Sequence, residues 1–348
     1  MTKITYLLLV SLSFSFSTFV SKIVVAEEYN MEEDGEQRAI KAAARTVGKT
    51  APMLSLTSID GKQLDLNDSY GKKPIYLKFW ATWCVPCGQQ MPKFKEIYRT
   101  YKDEMTIVAV NTGFNDDLKS AKKYVKQKKL LMPVVIDDGT LAGIFKLKVT
   151  PMHVLIGRDG KILHIGHKDG EKLDLAFKTA INQKVKVQPK SKKFEKLNEI
   201  KIGDIAKELS FKNLDGKSII VSKSSGKFKV LAFFAPWCES YLAESRPKMA
   251  KTCKETRLKV DELLPKYKQV EWYGISSNLW VDKFEVVDYK KTTKTKLDLS
   301  YDENAELFRY FSIKKVPTLI ILDKENKIIH RVESSFKNLD SILSNSIK

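Results

Sequence analysis

Cysteine is scarce in this sequence, with four residues among 348. Four cysteines are too few for the disulfide scaffold of a small secreted protein. Apart from the N-terminus, the chain lacks long uncharged apolar stretches, which excludes a multi-span membrane protein. Its 43% hydrophobic and 30% charged residues are typical of a globular protein rather than a disordered one. The length predicts about two domains.

Arginine is rare beside lysine, although the formal net charge is +19. A charge of this size suggests nucleic acid or an anionic membrane as a partner. The lysines are spread through the chain, commonly in pairs such as Lys122-Lys123 and Lys290-Lys291, which are typical of solvated helix faces. No nucleic-acid motif accompanies them. We therefore expect no nucleic-acid partner, and at most a contact with an acidic protein or with anionic lipid headgroups.

The N-terminus has the pattern of a cleaved secretory signal peptide at 1–26. A lysine precedes an uncharged stretch at 4–21, and Val24 and Ala26 provide the small residues of a cleavage site. An uncleaved membrane anchor is the alternative, but the stretch contains several serine and threonine residues. A cleaved signal predicts a periplasmic or otherwise exported protein. An acidic and alanine-rich lead-in at 27–46 follows, and we assign it no chemistry.

Four sequence blocks occur twice in the same order, which predicts a duplicated domain. The block VGKTAPMLSLTSIDGKQLDL from Val47 recurs 155 residues later as IGDIAKELSFKNLDGKSIIV from Ile202. The block IYLKFWATWC ends at Cys84, and its counterpart VLAFFAPWC ends at Cys238. The two copies therefore share a fold over most of their length.

The second copy is longer than the first. Pro92 is matched with Pro247 at an offset of 155 residues, whereas Pro151 is matched with Pro317 at 166, and the extra residues fit most simply at 280–300. A stretch rich in proline, serine and charge separates the copies. The expected organisation is a signal peptide at 1–26, a lead-in at 27–46, a first domain at 47–183, a linker at 184–201 and a second domain at 202–348.

Within each copy, short apolar runs alternate with amphipathic stretches, which predicts an α/β fold with a central mixed sheet flanked by helices. The apolar runs of the first copy predict buried strands, and the periodicity after the cysteine pair predicts a helix. Each copy ends with a predicted hairpin. The predicted strands are 75–80, 106–111, 154–156, 162–165, 319–322 and 328–330, and the predicted helix is 86–101.

Cys84 and Cys87 form a Cys-x-x-Cys motif at the point where a buried strand is expected to end and a helix to begin. The positive end of the helix dipole would stabilise a thiolate at Cys84. The spacing would let Cys87 act as an intramolecular resolving thiol that closes a small disulfide. A purely structural disulfide and half of a zinc site are the alternatives, but no second cysteine pair provides the other zinc ligands.

The segment FWATWCVPC, which ends at Cys87, resembles the TlpA and ResA group of exported thiol-disulfide oxidoreductases, and both copies resemble the thioredoxin fold. The resemblance implies two tandem thioredoxin-like domains, the second of them degenerate. It implies that Cys84 is the exposed nucleophile and Cys87 the resolving cysteine, supported by Trp83 and Pro86. The redox-active disulfide itself would be the only redox group, with no further cofactor and no metal.

The resemblance also assigns a role to Thr150 and Pro151. They would form a loop with a cis peptide bond that faces the cysteines, and the Thr150 backbone would pair with an extended substrate segment. The alternative is an ordinary trans proline at the start of a strand, because cis bonds are uncommon even before proline.

Lys78 departs from the family pattern, since related thioredoxins often have a buried acidic residue six positions before the first cysteine. A protonated lysine there could lower the pKa of a thiol, and a lysine whose own pKa is depressed by burial could act as a base. In the alternative interpretation only the aliphatic stem packs inside while the amine reaches solvent.

The second copy cannot perform the same dithiol cycle, because Tyr241 stands where the resolving cysteine would be. A continuous helix would hold Cys253 about 22 Å from Cys238 at ~1.5 Å per residue, too far for a disulfide. A bridge between them is the alternative, and it would require Pro247 to fold the helix back. We therefore expect two separate thiols, with Cys238 as a possible single reactive thiol or an inert remnant. The second domain is expected to bind a partner, dimerise or position substrate.

Three histidines near Pro151, at positions 153, 164 and 167, suggest a copper site together with Met152. Neighbouring residues of a strand point to opposite faces, however, so the set does not converge. We interpret these histidines as surface or hydrogen-bonded residues.

The predicted function is an exported thiol-disulfide oxidoreductase that reduces disulfides in client proteins. The resemblance implies clients such as apocytochromes awaiting haem attachment or copper-site assembly proteins, and a membrane-embedded thiol reductase as the electron donor. One alternative is a disulfide isomerase, which duplicated thioredoxin domains favour. The other is a partner-binding or metal-binding module with a regulatory redox pair.

Overall fold

The computed structural model describes residues 30–185, 199–333 and 336–347. The expected signal peptide at 1–26 lies outside these residues, as does most of the expected linker at 184–201. The described residues contain two five-stranded mixed sheets with flanking helices, which confirms the predicted α/β fold class.

The first domain contains seven strands and is preceded by a helix in the lead-in. Its elements are α1 (Met31–Ala44), β1 (Ser55–Thr57), β2 (Gln63–Asp65), β3 (Ile75–Trp80), α2 (Val85–Tyr101), β4 (Thr106–Asn111), α3 (Leu118–Lys128), β5 (Val134–Ile136), α4 (Thr140–Ile144), β6 (Met152–Ile156), β7 (Ile162–Gly166) and α5 (Glu171–Ile181). The sheet order is β5-β4-β3-β6-β7, and β1 pairs with β2 in a separate hairpin.

The second domain repeats this arrangement with two additional short helices. Its elements are β8 (Leu209–Lys212), β9 (Ser218–Val221), β10 (Phe228–Phe234), α6 (Trp237–Ser240), α7 (Leu242–Ser245), α8 (Pro247–Leu263), β11 (Val270–Ser276), α9 (Lys283–Thr293), β12 (Asp298–Tyr301), α10 (Glu306–Tyr310), β13 (Thr318–Leu322), β14 (Ile328–Val332) and α11 (Leu339–Ser346). The sheet order β12-β11-β10-β13-β14 has the same connectivity as the first.

The central strand of each sheet has a parallel neighbour on one side and an antiparallel neighbour on the other. In the first sheet, β3 runs parallel to β4 and antiparallel to β6. All six residues of β3 are buried because helices cover both faces of the sheet, which explains the continuous apolar run apart from Lys78. The parallel strands end at the edge where α2 begins, and this places Cys84 at the end of β3.

The insertion in the second copy lies elsewhere than we expected. Asn111 and Ser276 occupy equivalent positions at the ends of β4 and β11, and their offset is already 165 residues. The extra residues therefore precede β11, where α6 and α7 occur, and the expected position at 280–300 is wrong. The match of Pro92 with Pro247 is also wrong in structural terms, because Pro92 lies inside α2 while Pro247 begins α8.

The lead-in is helical and contacts both domains. The Glu36 carboxylate of α1 accepts hydrogen bonds from the backbone N–H groups of His167 (2.8 Å) and Lys168 (3.1 Å). The buried Arg38 guanidinium forms ion pairs with Glu285 and, at 3.7 Å, with Asp282 of the second domain. The segment for which we expected no chemistry therefore has a structural role.

Candidate active site

The motif cysteines form a disulfide at the beginning of α2. Cys84 and Cys87 have their Cα atoms 5.2 Å apart, and Cys84 is the N-cap residue of the helix. Its Sγ accepts a hydrogen bond from the Cys87 backbone N–H at 3.2 Å. Pro86 fits the first turn of the helix, where no intrahelical N–H bond is lost. A thiolate at Cys84 would therefore be stabilised by a helix N-terminus, as the sequence predicts.

The Thr150-Pro151 loop faces the disulfide. The peptide bond between these residues is cis, as the resemblance implied. The carbonyl oxygen of Thr150 lies 3.3 Å from Cys84 Sγ, and the Thr150 side chain is completely buried. The loop therefore adjoins the sulfur that the resemblance assigns as the nucleophile.

The second domain covers this site, so the expected exposure of Cys84 is wrong for this structure. Only 4% of Cys84 is accessible to solvent. The Tyr241 hydroxyl accepts a hydrogen bond from the Val85 backbone N–H at 3.2 Å. Trp280 Nε1 donates to the Thr150 hydroxyl at 3.4 Å. The Val85 N–H and the Thr150 hydroxyl, which adjoin the cysteine pair, thus already have hydrogen-bond partners in the second domain.

The two domains contact each other through equivalent features. The indole rings of Trp83 and Trp237, each of which precedes the first cysteine of its domain, stack with centroids 4.9 Å apart. Trp83 Nε1 donates to the Phe114 carbonyl and Trp237 Nε1 to the Leu279 carbonyl, both at 2.7 Å. At this contact the two domains are therefore related by an approximate twofold axis.

The loops after β4 and β11 extend this relationship. The Asn115 N–H donates to the Lys314 carbonyl at 2.7 Å, and the Trp280 N–H donates to the Lys148 carbonyl at 2.8 Å. Asn115 and Trp280 share a left-handed backbone, with φ values of 55° and 57°. Each lysine lies three residues before a cis-proline. Each domain thus binds a loop of the other beside its own proline loop.

Lys78 is buried in β3, and the interpretation that its amine reaches solvent is wrong. The residue is 1% exposed, and its Nζ donates to Gln90 Oε1 at 2.8 Å and lies 5.3 Å from the centre of the Phe94 ring. Burial lowers the pKa of Lys78 to about 7, while the carboxylate of Asp169 raises it slightly. Gln90 lies one helical turn after Cys87, so the amine is connected to the active-site helix.

A network of buried hydrogen bonds joins Lys78 to the proline loop. His153 Nε2 lies 3.1 Å from both Gln90 Oε1 and the His167 carbonyl, and its Nδ1 lies 2.7 Å from the Tyr76 hydroxyl. Because the first two partners only accept, Nε2 carries the hydrogen and Tyr76 donates to Nδ1. Burial holds the pKa of His153 well below its ordinary value, which keeps this ring neutral.

His167 completes the network. Its Nδ1 donates to the Pro151 carbonyl at 2.7 Å, and its ring lies edge-on to Trp280 with centroids 5.6 Å apart. The interpretation of these histidines as hydrogen-bonded residues is confirmed for His153 and His167. In the described part of the chain, no group of three or more His, Cys, Asp or Glu side chains is arranged to hold a metal ion.

The remaining cysteines also form a disulfide, and the expectation of two separate thiols is wrong. The Cα atoms of Cys238 and Cys253 are 6.2 Å apart. The prediction assumed one continuous helix, but the chain forms α6 and α7 and then turns before α8 begins at Pro247. The insertion therefore brings Cys253 back beside Cys238.

The site also includes Trp280, Asn115 and Gln90, which no sequence motif indicates. Their contacts lie between segments that are distant in the chain, and no local pattern marks them. The left-handed backbone of Asn115 has a sequence signal, because asparagine tolerates positive φ. Trp280 has no such signal, since a bulky residue rarely adopts this conformation.

A mixed sheet of this order, with a Cys-x-x-Cys disulfide at a helix N-terminus opposite a cis-proline loop, defines a thioredoxin-fold thiol-disulfide oxidoreductase. The model of the AhpC/TSA family matches residues 47–165. The thiol-disulfide oxidoreductase ResA of Bacillus cereus (strain ZK / E33L) is 38% identical over 132 residues, which are 37% of this chain and 75% of that protein. The chain belongs to the ResA-like thiol-disulfide oxidoreductases.

The chain is also similar to two further proteins. The thioredoxin-like protein YneN of Bacillus subtilis (strain 168) is 34% identical over 122 residues, which are 34% of this chain and 71% of that protein. A solved structure of a putative thiol:disulfide interchange protein DsbE from Chlorobium tepidum is 30% identical, with a TM-score of 0.36, and the match covers 39% of this chain and 98% of that one. None of the helices in the described ranges has the length and apolar character needed to cross a membrane.

Proposed function

We propose that this oxidoreductase is exported and reduces disulfides in client proteins by dithiol exchange at Cys84 and Cys87. The position of Cys84 at the N-terminus of α2, 3.3 Å from the Thr150 carbonyl, is the observation that supports this proposal most directly. The helix dipole favours a thiolate at that position, and a thiolate is the attacking species in disulfide exchange.

The reaction begins with both cysteines reduced. The Cys84 thiolate attacks one sulfur of the client disulfide, a mixed disulfide forms, and the other client sulfur leaves as a thiolate that takes a proton. Cys87 loses its proton and attacks Cys84 Sγ, which releases the second client sulfur as a thiolate that also takes a proton. The client has gained two electrons and two protons, and Cys84–Cys87 is again a disulfide.

Lys78 is suited to accept the Cys87 proton. Burial lowers the pKa of Lys78 to about 7, so a neutral amine is available near neutral pH. The amine reaches the helix through Gln90, one turn beyond Cys87. A buried acidic residue at the equivalent position is common in related thioredoxins, and a neutral lysine could provide the same base.

We assign the regeneration of the dithiol to a membrane thiol reductase. Apocytochromes and copper-site assembly proteins are the client types that the family resemblance favours. Export rests on the signal-like sequence at 1–26, and a weak attraction to acidic partners or anionic lipid is consistent with the net charge of +19.

Client trapping tests the proposal. In a Cys87→Ser variant expressed in the native host, the mixed disulfide on Cys84 cannot be resolved, so clients should remain covalently attached and appear in non-reducing gels. The Cys84→Ser, Cys87→Ser double variant is the matched control. Absence of any Cys84-linked protein would contradict the proposal.

Two activity assays separate the alternatives. Reduction of insulin with a recycling reductant should require Cys84. If this activity is absent, a binding module with a regulatory disulfide is the better description. Recovery of scrambled ribonuclease at a rate exceeding its simple reduction would identify an isomerase instead.

A further inference from the structure

Positive charge lies along one side of α3, a helix of the first domain that contains no acidic residue. Four of its lysines recur every three or four positions, so they share a face about 100° wide, on the side away from the buried Ala121. All four are exposed, and none of their amines forms a hydrogen bond or an ion pair in the part of the chain that the structure describes. These residues form the lysine face: Lys119, Lys122, Lys123 and Lys126.

Two acidic residues near the lysine face already have partners. The Asp117 carboxylate caps α3 and accepts the Ser120 N–H at 2.7 Å. Asp60 interacts more strongly with Lys62, at 3.8 Å, than with the lysine face. Like charges four residues apart on a helix repel each other, so the lysine face weakens the helix that carries it. Helix stability therefore does not account for this cluster of charge.

The second copy of the fold shows that the helix does not need these lysines. Helix α9 is the counterpart of α3, because Asp117 and Asp282 provide a capping box at the start of each. Lys129 and Lys294 end the two helices in the left-handed conformation, at the same offset of 165 residues. The same fold thus forms α9 with one lysine in place of four, since the counterparts of the lysine face are Phe284, Val287, Asp288 and Lys291.

Exposed apolar side chains flank the lysine face. Leu118, the first residue of α3, is 49% exposed, and Leu131, two residues beyond the C-cap, is 60% exposed. Amines beside exposed leucines are typical of a surface that lies at the boundary between lipid headgroups and acyl chains. Lysine also presents a flexible point charge rather than the rigid fork of arginine, which suits a fluid layer of headgroups better than a fixed set of carboxylates. The combination favours anionic lipid over an acidic protein.

We propose that the lysine face is a docking surface for anionic lipid headgroups, with Leu118 and Leu131 entering the headgroup layer. Each lysine close to an anionic membrane strengthens binding by about fivefold, so the four together provide a strong local attraction. The leucines add apolar contact that an evenly basic surface would lack.

Docking through this face would bring the active site to the membrane. Helix α3 lies beside the active-site helix, since the Lys95 amine of α2 donates to the Lys128 carbonyl at 3.2 Å. The Asp116 carboxylate, just before α3, accepts the Thr82 N–H two residues before Cys84 at 2.7 Å. The active-site disulfide would then lie close to the membrane thiol reductase of the proposed function. This consequence rests on that function, whereas docking itself involves no redox step.

Co-sedimentation with lipid vesicles tests the proposal. The protein is the mature chain expected after removal of the signal peptide, so the uncharged N-terminal stretch cannot insert into the lipid. The vesicles consist of phosphatidylcholine alone or of phosphatidylcholine mixed with anionic phosphatidylglycerol. We expect binding to the mixed vesicles only, with a loss of binding at high ionic strength.

Two charge-matched variants separate the lysine face from the net charge. Replacement of its four lysines by glutamine should weaken binding to mixed vesicles by more than about a hundredfold. Glutamine has a helix propensity close to that of lysine, so α3 should persist, as circular dichroism can verify. The control should weaken binding by less than about fivefold, and it replaces four exposed lysines on and beside α9 by glutamine: Lys283, Lys291, Lys294 and Lys296.

Two further measurements separate lipid from an acidic protein, and docking from redox activity. Leu118→Gln combined with Leu131→Gln should weaken vesicle binding by about tenfold, because less apolar surface enters the lipid, and should leave binding to soluble polyglutamate unchanged. Insulin reduction by every variant should equal that of the wild type, since none of the replaced residues contacts the cysteine pair. The vesicle result stands whether or not the protein reduces insulin.

Several results would contradict the proposal. Absence of binding to mixed vesicles, or equal binding to neutral ones, would exclude docking on anionic lipid. Equal losses in the two lysine variants would show that net charge alone attracts the protein. Vesicle binding that does not depend on the two leucines would assign the lysine face to an acidic protein partner instead.

Discussion

Replacing Lys78 by methionine should make the protein more stable at neutral pH, and the gain should disappear in alkali. Lys78 lies in the central strand of the first sheet and is 1% exposed. Burial lowers its pKa from 10.5 to about 7, because the charged amine loses its hydration. The folded state therefore pays a penalty for Lys78 at any pH where the unfolded chain binds a proton at this site.

The penalty follows from the two pKa values. Between pH 7 and 10.5 the unfolded chain holds more protons at Lys78 than the folded one, so the contribution of Lys78 to wild-type stability should rise by about 1.4 kcal/mol per pH unit. At pH 7 the accumulated cost is about 4 kcal/mol, and at pH 10 about 1 kcal/mol. Methionine also loses the hydrogen bond to Gln90, worth about 1 kcal/mol. The net gain should be about 3 kcal/mol at pH 7 and close to zero at pH 10.

Urea unfolding measured at several pH values between 6 and 10 checks this expectation, with unfolding followed by tryptophan fluorescence. Lys72→Met, at an exposed position six residues earlier, is the matched control and should follow the wild-type curve at every pH. A stability difference that does not change with pH would refute the reasoning, because it would show that the folded protein keeps Lys78 charged. A Lys78→Met variant that is less stable than wild type at pH 7 would do the same.

Three further predictions concern the contact between the domains. Trp280→Ala should raise the rate of alkylation of reduced Cys84 several-fold, because it removes the side chain that covers Thr150. The time course of alkylation by iodoacetamide measures this rate, and an unchanged rate would contradict the prediction. Asn115→Ala should lower the free energy of unfolding by about 2 kcal/mol, since the Val316 N–H loses its acceptor and alanine is strained at positive φ. Asn115→Gly should lose only the hydrogen bond, and urea titration of both variants measures the difference. Arg38→Met should lower the free energy of unfolding by about 2 kcal/mol, because Glu285 and Asp282 lose the buried guanidinium that pairs with them, and a loss that does not shrink at low pH would indicate a packing effect instead.

The sheets of both domains could be predicted because their signals are local. The run 75–80 is buried throughout, and 106–111 is buried except at its first residue, so their apolar character directly reflects the fold. The motif at Cys84 and Cys87 could be located for the same reason, since the end of a buried strand and the start of an amphipathic helix are adjacent in sequence. The family pattern then provided the cis bond before Pro151, which composition does not encode.

The position of the insertion could not be predicted, because sequence matching placed Pro247 opposite Pro92. A proline inside a helix and a proline at a helix start look the same in an alignment, but they place the following residues differently. The same mismatch explains the wrong expectation for Cys238 and Cys253, because it implies one continuous helix where the chain forms α6, α7 and α8. The burial of the Lys78 amine could not be predicted either, because a lysine in an apolar strand can bury its aliphatic stem while its amine reaches solvent.

The second domain lacks the buried lysine and the resolving cysteine of the first domain, and the tyrosine in place of that cysteine contacts the first domain. Ala232 occupies the strand position equivalent to Lys78, as the pairing of each with the antiparallel neighbour shows. Tyr241 replaces the resolving cysteine, and its hydroxyl binds the Val85 N–H between the two cysteines of the first domain. The position that holds the resolving cysteine in the first domain thus holds, in the second domain, a tyrosine that contacts the active site of the first. This contact and the hydrogen bond from Trp280 to Thr150 lie directly beside the cysteine pair, so the second domain covers the groups around Cys84, which is only 4% exposed.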